Sequence, residues 1–255
     1  AQYAPAPKVD GEQDRYVITG YKSSYEFMDE FKMLFPRMHS SQQHHVDAYK
    51  SWADVKGKKI RYDYCGQTKT EYCPTFGENL KFFFRYQVNF MYWRYFMWNF
   101  AGRQNDLQSH GEMTKGNWIS GISFIDNALY GDQSKLPTEL RENKGHNVYY
   151  FLPLLLGLIG MFWQLSKRLN EGKNKEGYRS FSITFLLFFL TGLAIVVYLN
   201  QTPYQPRERD YAYAGSFYAF CIWIGLGVMA IIDLINQFSK NKEKVRIIIA
   251  AVVVV

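Results

Sequence analysis

The chain has 255 residues, of which 47% are hydrophobic and 18% aromatic, and a formal net charge of +7. In a soluble protein such a charge would favour a nucleic acid or an anionic lipid as the partner. Basic residues crowd instead into two short segments, residues 166–179 and 240–246, which flank apolar runs. This pattern is typical of the cytoplasmic loops of membrane proteins. We therefore expect a lipid bilayer as a partner and no nucleic acid.

Residues 1–147 contain no long apolar run, and we expect them to form a mixed α/β region outside the cytoplasm. The polar, proline-rich residues 1–14 favour an extended entry. Residues 16–21 have the composition of a strand, and residues 24–34 carry apolar side chains at helical spacing. A zinc site is one interpretation of His39, His44, His45 and Asp47. Two adjacent histidines rarely bind one ion, so polar loop histidines are the favoured interpretation.

Two β-prone segments, residues 59–65 and 70–73, are separated by residues 66–69 and predict a β-hairpin. Cys65 and Cys73 can face each other across such a hairpin. Outside the cytoplasm the environment is oxidising, so a disulfide is one interpretation and two free thiols the other. The sequence leaves both open, because it does not fix the register of the strands.

Thr75 and Glu78 have the spacing of a capping box, which predicts that a helix begins at residue 76. The next residues are mostly aromatic, and the helix is expected to end near residue 101. Arg85 and Arg94 lie on nearly opposite faces, so no rotation of the helix hides both from lipid. We expect residues 76–101 to lie along the membrane interface or under a cover of protein.

Three apolar runs predict helices that cross a membrane, at about residues 148–165, 181–199 and 216–234. A further run, residues 247–255, is too short to cross, and we interpret the chain as a piece of a longer protein. The expected fold class is a mainly α membrane protein whose transmembrane helices follow the mixed α/β region. The basic segments predict the cytoplasmic side, so residues 1–147 would face outward.

The connection between the second and third runs carries four consecutive ionised residues, Arg207, Glu208, Arg209 and Asp210. Each such charge costs about 2.5–3.5 kcal/mol at a membrane centre, so this turn must lie at the surface or line a polar cavity. Neighbouring prolines keep its backbone extended. The turn is therefore either a binding site at the membrane surface or an ion-pair network that connects two helices.

Six runs of sequence resemble one known family: MLFPRM at residues 33–38, AYKSW at 48–52, PTFGENLKFFF at 74–84, MYWRYFMWNFAGRQND at 91–106, GNWISGISFID at 116–126 and NQTPYQPRERDYAYAGSFYAF at 200–220. The family comprises large bacterial inner-membrane proteins now classified as glycosyltransferase family 117. The resemblance implies a multi-span enzyme similar to protein O-mannosyltransferases. Such an enzyme would take a sugar from a polyprenyl-phosphate carrier on the periplasmic side of the membrane.

The resemblance implies a phosphate-bearing donor, which arginine suits because its planar group donates two parallel hydrogen bonds. Seven residues are the candidates to bind the donor or to orient its ligands: Arg207, Arg209, Arg94, Arg103, Asp210, Glu208 and Asp106. The first two arginines are the preferred phosphate ligands, because they lie at headgroup depth. No cofactor is predicted, and a divalent metal is left open.

The catalytic residue is left unassigned. In lipid-linked-sugar transferases the catalytic carboxylate usually follows the first span, and we expect it upstream of residue 1. The alternative function is a non-catalytic membrane subunit or anchor of an envelope protein complex. Aromatic surfaces that contain arginine suit protein interfaces as well as they suit sugars.

Overall fold

The computed structural model describes residues 1–8, 10–22, 27–170 and 175–238, without the side chains of residues 166–170, 175–177 and 237–238. About 53% of the chain is helical. Within the described ranges the strands form three two-stranded antiparallel sheets, and four α-helices follow the last strand. The expected order, a mixed region followed by helices, is confirmed.

The N-terminal hairpin pairs β1 (Gln2–Pro5) with β2 (Tyr16–Gly20), so the strand predicted near residue 16 is confirmed. The helix predicted at residues 24–34 is wrong from residue 27 onward, where the only helical turn is a 3₁₀ turn at Asp29–Phe31. Residues 24–26 lie outside the described ranges. Tertiary packing outweighs the helical spacing, because Phe31 packs edge-on against Tyr62 at 5.3 Å between ring centroids.

Two of the three histidines, His44 and His45, lie on a helix, α1 (Gln43–Ala53), and not in the loop that we expected, whereas His39 lies in a loop. The buried face of α1 includes Tyr49, which packs edge-on against Phe82 at 5.0 Å between centroids. The helix ends at Asp54, whose backbone is left-handed with φ of 51°. Packing of the apolar face of α1 explains why this segment is helical.

The predicted hairpin is confirmed as β3 (Lys58–Tyr64) and β4 (Gln67–Cys73). Its two turn residues, Cys65 and Gly66, have φ of 50° and 75°, as a type I′ turn requires. Cys73 pairs with Lys58, at the end of the hairpin opposite the turn. The two cysteines are thus roughly 20 Å apart along the strand, and both are free thiols. The disulfide interpretation is wrong because of this register.

One helical run, which we call the aromatic helix, extends from Phe76 to Phe100. In α2 (Phe76–Phe82) the capping box is confirmed, since Thr75 and Glu78 each accept the other's backbone N–H. A π-helical segment, Phe83–Trp93, leads into α3 (Arg94–Phe100). The Arg94 side chain is only 4% exposed, so protein covers it. The orientation of the helix relative to a bilayer stays a prediction.

A small sheet closes the long loop region after the aromatic helix. In this sheet β5 (Gly102–Arg103) pairs with β6 (Asn147–Val148), and between them lie α4 (Ser123–Tyr130) and α5 (Thr138–Arg141). Gly102 has φ of 145°, and a Cβ there would lie 2.6 Å from the Asn147 carbonyl oxygen. Only glycine fits this position, where the loop returns to the end of the aromatic helix.

The C-terminal part contains four helices: α6 (Leu152–Asn170), α7 (Lys175–Thr191), α8 (Leu193–Leu199) and α9 (Ala214–Phe238). Two stretches, Tyr178–Leu199 and Asp210–Asn236, are long and apolar enough to cross a membrane. They correspond to the runs predicted at residues 181–199 and 216–234.

The run predicted at residues 148–165 is wrong at its start, because Val148 belongs to β6. The apolar helix that remains, Leu152–Leu165, is shorter than the roughly 20 residues that a bilayer requires. The predicted run from residue 247, the basic segment 240–246 and part of the basic segment 166–179 lie outside the described residues.

Glycines allow the C-terminal helices to approach closely. On α6, Gly160 faces the backbone carbonyl of Trp223, and on α9, Gly227 faces the carbonyl of Leu156. Gly192 separates α7 from α8 and leaves room for the Tyr92 hydroxyl. The aromatic helix thereby packs directly against the helices that flank residues 200–213.

Candidate functional site

A cavity of about 270 Å³ lies where α1, the aromatic helix, the following loop and the turn before α9 meet. Five aromatic side chains contribute to its walls: Trp52, Tyr86, Phe90, Tyr95 and Tyr204. Three charged side chains, Arg85, Arg207 and Glu208, and the imidazole of His110 also line it. The cavity is therefore an aromatic pocket that carries several charged groups.

The indole of Trp52 is fixed by its neighbours. Its ring lies 5.0 Å from the Tyr86 ring and 5.1 Å from the Phe90 ring, between centroids. A Cβ added to Gly111 would lie 2.9 Å from this indole. Because Gly111 also has φ of 109°, both its backbone and the indole favour glycine there. Trp52 is thus a preformed apolar surface on the cavity wall.

Glu208 is the one carboxylate among the described residues that line this cavity, and it is fully engaged. It accepts hydrogen bonds from Arg94 Nη2 at 2.8 Å, from the Ser109 N–H at 3.0 Å and from the Tyr95 hydroxyl. Burial alone would raise its pKa, but the donors, Arg94 foremost, hold the pKa below that of an ordinary glutamate. Glu208 therefore stays ionised at neutral pH.

Arg94 fixes Glu208 from inside the protein. Its Nε donates to the Phe90 carbonyl at 3.0 Å, and its Nη1 donates to the Gly116 carbonyl at 2.7 Å. Its guanidinium also lies over the rings of Tyr95 and Trp98, at 4.6 and 4.7 Å from their centroids. Hydrogen bonds, ring faces and one carboxylate thus compensate for the burial of this cation.

Arg85 is partly neutralised at the edge of the cavity. Asp54 accepts a hydrogen bond from Arg85 Nη1 at 3.0 Å and another from Lys81. Two cations therefore share one carboxylate, and the group retains a net positive charge. All three side chains are well exposed, so solvent screens these pairs.

Arg207 forms no ion pair with any described residue. Its Nη2 lies 3.4 Å from the Tyr211 hydroxyl, and its guanidinium lies 5.6 Å from the Tyr211 ring centroid. The residue is exposed and lines the cavity. Because Arg94 neutralises Glu208, the cavity carries an excess positive charge from Arg207 and the Arg85 group.

Hydrogen bonds from the π-helical segment hold the turn before α9. Gln87 Nε2 donates to Asn200 Oδ1 at 2.9 Å and to the Gln201 carbonyl at 3.0 Å. The Tyr86 hydroxyl donates to the Thr202 carbonyl at 3.1 Å. π-Helical segments are frequently found at functional sites. Here the segment contributes to the cavity wall and also donates the hydrogen bonds that hold the turn.

The seven predicted residues do not form one site. Arg207 and Glu208 line the cavity, and Arg94 lies behind Glu208. The Arg209 N–H donates to the Tyr95 hydroxyl at 3.3 Å, but the Arg209 side chain does not line the cavity. The interpretation of residues 207–210 as their own ion-pair network is wrong, because Glu208 pairs with Arg94 and no described pair joins these four residues.

The other three predicted residues lie outside the cavity lining. Arg103 stacks on Trp98 at 4.1 Å and donates from Nε to the Asn105 carbonyl at 3.0 Å. Asp106 is exposed, and Asp210 begins the 3₁₀ turn before α9.

Sequence reasoning missed most of the cavity residues, among them Trp52, Arg85, His110 and Tyr204. For Arg85 a signal existed, because a cation on an apolar helix requires a polar partner. Trp52 lies on the apolar face of α1, and the helical spacing of the apolar residues in this segment is a signal for it in the sequence. Tyr204 has φ of 56° and lies between His44 and His110, at 6.0 and 5.1 Å between ring centroids; this contact depends on long-range folding.

A second cavity of about 290 Å³ lies beside α4. Its buried carboxylate, Asp126, is saturated by the Ser120 N–H and hydroxyl and by the Gly121 N–H, at 2.7 to 2.9 Å. These bonds shape a loop and leave little capacity for a ligand. No group of three or more His, Cys, Asp or Glu side chains in the described ranges has metal-binding geometry. The first cavity is therefore the candidate site.

Comparisons with known proteins identify one match. A family of unknown function, DUF8416, matches residues 2–84, which is less than half of the chain. The matched segment extends from β1 into the π-helical segment and includes Trp52 but neither Arg94 nor Arg207. No curated protein and no solved structure matches the chain.

Proposed function

We propose that the chain is a membrane glycosyltransferase-like domain that binds a polyprenyl-phosphate-linked sugar in the 270 Å³ cavity. The observation that carries the proposal is Arg207, which has no ion-pair partner among the described residues and lines an aromatic cavity. The segment that bears Arg207 connects the stretches Tyr178–Leu199 and Asp210–Asn236. A phosphate with a lipid tail would meet both the cation and the bilayer at this level.

The charges of the site support an anionic ligand. The Glu208 carboxylate is neutralised by Arg94, so it does not repel a phosphate. Arg207 has no carboxylate partner among the described residues, and its planar group can donate two parallel hydrogen bonds to phosphate oxygens. The Arg85 group adds a second positive region along the same cavity.

The shape and walls of the cavity support a sugar as the group next to the phosphate. The volume of about 270 Å³ is at the lower end of ligand pockets, which are roughly 300–1,000 Å³. It therefore suits one sugar ring better than an oligosaccharide. The fixed indole of Trp52 offers a flat apolar face against the C–H groups of such a ring. Because Glu208 is occupied by Arg94, the proposal assigns no acid–base step to it.

The proposed location is the bacterial inner membrane, with the cavity on the periplasmic side. The basic segments at residues 166–179 and 240–246 support this orientation by the positive-inside rule. Single cysteines introduced at Lys173 and Gln205 are the test. In intact cells, an impermeant thiol reagent should label Gln205→Cys and spare Lys173→Cys; labelling of Lys173→Cys from outside would reverse the topology.

The binding test compares Arg207→Gln with Arg61→Gln, which removes an exposed arginine from β3 outside the cavity. A polyprenyl phosphate should bind the wild type and the Arg61 variant equally. Loss of a charge-assisted hydrogen bond of about 1.5–3 kcal/mol should weaken binding to Arg207→Gln by roughly ten- to a hundredfold. Arg207→Lys should recover part of the affinity, since it keeps the charge without the planar group.

The same polyprenol without phosphate separates recognition of the headgroup from insertion of the tail. It should bind weakly and equally to all four proteins. Equal affinity of the wild type and Arg207→Gln for polyprenyl phosphate would contradict the proposal. That result would favour the non-catalytic membrane subunit instead.

A further inference from the structure

The loop before α1 exposes an apolar side chain to an unusual degree. Leu34 is 93% exposed, between Met33 and Phe35. Single exposed apolar residues are common at protein surfaces. This one lies next to aromatic rings and to the end of a candidate membrane span, and that position needs an explanation.

Hydrogen bonds from one buried side chain fix this loop to the aromatic helix. Asn79, only 1% exposed, accepts the backbone N–H of Arg37 at 2.6 Å and that of Met38 at 3.1 Å. Its Nδ2 lies 3.1 Å from the Met33 Sδ. Contacts on both sides of Leu34 therefore hold the loop in a defined position.

The guanidinium of Arg37 connects the loop to the end of α8. Its Nη1 donates to the Val197 carbonyl at 2.8 Å, and its Cζ lies 4.1 Å from the Phe35 ring centroid. Val197 lies in the last turn of the candidate span Tyr178–Leu199, where carbonyls lack partners within the helix. Phe35 is therefore level with the end of that span.

Further exposed apolar rings continue the same surface. Phe35 packs edge-on against Phe83 at 5.3 Å between centroids, and Phe83 contacts Phe84 at 5.1 Å. Phe84 is 58% exposed, and Tyr198, which follows Val197, is 84% exposed. One apolar surface thus joins the loop, the aromatic helix and the end of α8.

We propose that residues 33–36, with Phe84 and Tyr198, insert into the lipid leaflet in which α8 ends. The inference rests on the membrane placement in the proposed function but not on the ligand of the cavity. Aromatic and aliphatic side chains next to an arginine are typical of segments at the boundary between headgroups and acyl chains. The loop would thereby set the height of residues 1–147 above the bilayer.

Lipid is favoured over a protein partner because the surface is continuous with a span. A bilayer around α8 already surrounds the Tyr198 side chain and reaches the level of Phe35. A protein that covered Leu34 would have to share this position with the headgroups.

The experiment measures contact with lipid at single cysteines. The native thiols are removed with Cys65→Ser, Cys73→Ser and Cys221→Ser, and Leu34→Cys is labelled with an environment-sensitive fluorophore. Two matched proteins serve as references. One keeps only the native Cys65, exposed at the hairpin turn, and the other carries only Leu190→Cys, on the exposed face of α7.

The labelled proteins are reconstituted into two sets of vesicles of phosphatidylcholine and phosphatidylglycerol. One set contains lipids spin-labelled on the acyl chain near the glycerol, and the other contains lipids labelled near the end of the chain. Quenching at position 34 by the label near the glycerol should be several-fold stronger than at Cys65. The label near the chain end should quench position 190, which lies deeper in the span. Quenching at position 190 without quenching at 34 would overturn the lipid-contact proposal alone and favour a protein partner. Absence of quenching at both positions would overturn the membrane placement and this inference together.

Discussion

The ion pair between Arg94 and Glu208 joins the aromatic helix to the turn before α9. Its side chains are 4% and 18% exposed, so solvent screens the pair only weakly. We predict that Glu208→Gln will destabilise the protein, because it leaves the Arg94 charge buried without its counter-charge. The substitution preserves the size of the side chain, so packing changes contribute little to the effect.

The expected magnitude follows from the burial. Removal of one partner of a buried pair costs about 3–5 kcal/mol. Arg94 keeps its hydrogen bonds to the Phe90 and Gly116 carbonyls, which favours the lower end, about 3 kcal/mol. For a chain of this size each kcal/mol lowers the Tm by about 2–4 °C, so the expected loss in Tm is roughly 6–12 °C.

The assay is thermal unfolding in detergent of Glu208→Gln, Arg94→Met and the double variant. Both charges are absent from the double variant, so its loss of unfolding free energy should be smaller than the sum of the losses of the two single variants. The exposed pair of Arg141 and Glu142, at 3.6 Å, provides the control. Glu142→Gln should change the unfolding free energy by less than about 0.5 kcal/mol. Additive effects of the two buried substitutions would refute the pairing argument.

The same pair makes a prediction about pH. The pKa of Glu208 is lower in the folded protein than the value of about 4.3 expected for an unfolded glutamate. Its contribution to stability is therefore complete above that value and is lost as the pH falls through the folded pKa. Between pH 7 and 3 the Tm of the wild type should fall more than that of Glu208→Gln. Parallel Tm curves over this range would contradict the assignment.

Three further outcomes follow from individual contacts. Glu78 accepts the Thr75, Lys56 and Gly57 N–H groups, which lower its pKa to about 2. Glu78→Ala should therefore lower the unfolding free energy by about 1–3 kcal/mol. The exposed Glu139 serves as the control, and Glu139→Ala should leave the unfolding free energy unchanged. A thiol reagent should modify Cys65 faster than Cys73, whose pKa is raised by burial, and non-reducing gels should show no internal cross-link. Gly160→Ala should lower the Tm in detergent, because its Cβ would meet the Trp223 carbonyl, whereas Gly225→Ala on α9 has open space and should not.

Local signals in the sequence predicted the elements whose causes are local. The capping box of Thr75 and Glu78 spans only four residues, and it fixes where the aromatic helix begins. The hairpin was predictable for the same reason, since a glycine lies between two β-prone segments. Its register depended on Cys65 adopting a positive φ, which a sequence does not reveal, and the disulfide interpretation failed for that reason.

The candidate site depends on contacts that are distant in sequence. Arg94 and Glu208 are 114 residues apart, and so are Tyr95 and the backbone of Arg209. Sequence reasoning singled out the arginines and the carboxylate, and their level at a membrane surface stays a prediction. It predicted one shared role for them, whereas Arg94 and Glu208 form an ion pair with each other and Arg207 has no ion-pair partner among the described residues.

The charges of the aromatic helix explain this division. Its apolar composition would favour lipid, but Lys81, Arg85 and Arg94 each require a counter-charge or water. Asp54, at the end of α1, serves the first two at the exposed edge, and Glu208 serves the third in the interior. Asp54 and Glu208 are therefore both paired with cations of the helix. Arg207, on the turn that supplies Glu208, is the cavity cation without a carboxylate in the described structure. An anionic ligand would give it the counter-charge that the neighbouring cations obtain from the protein.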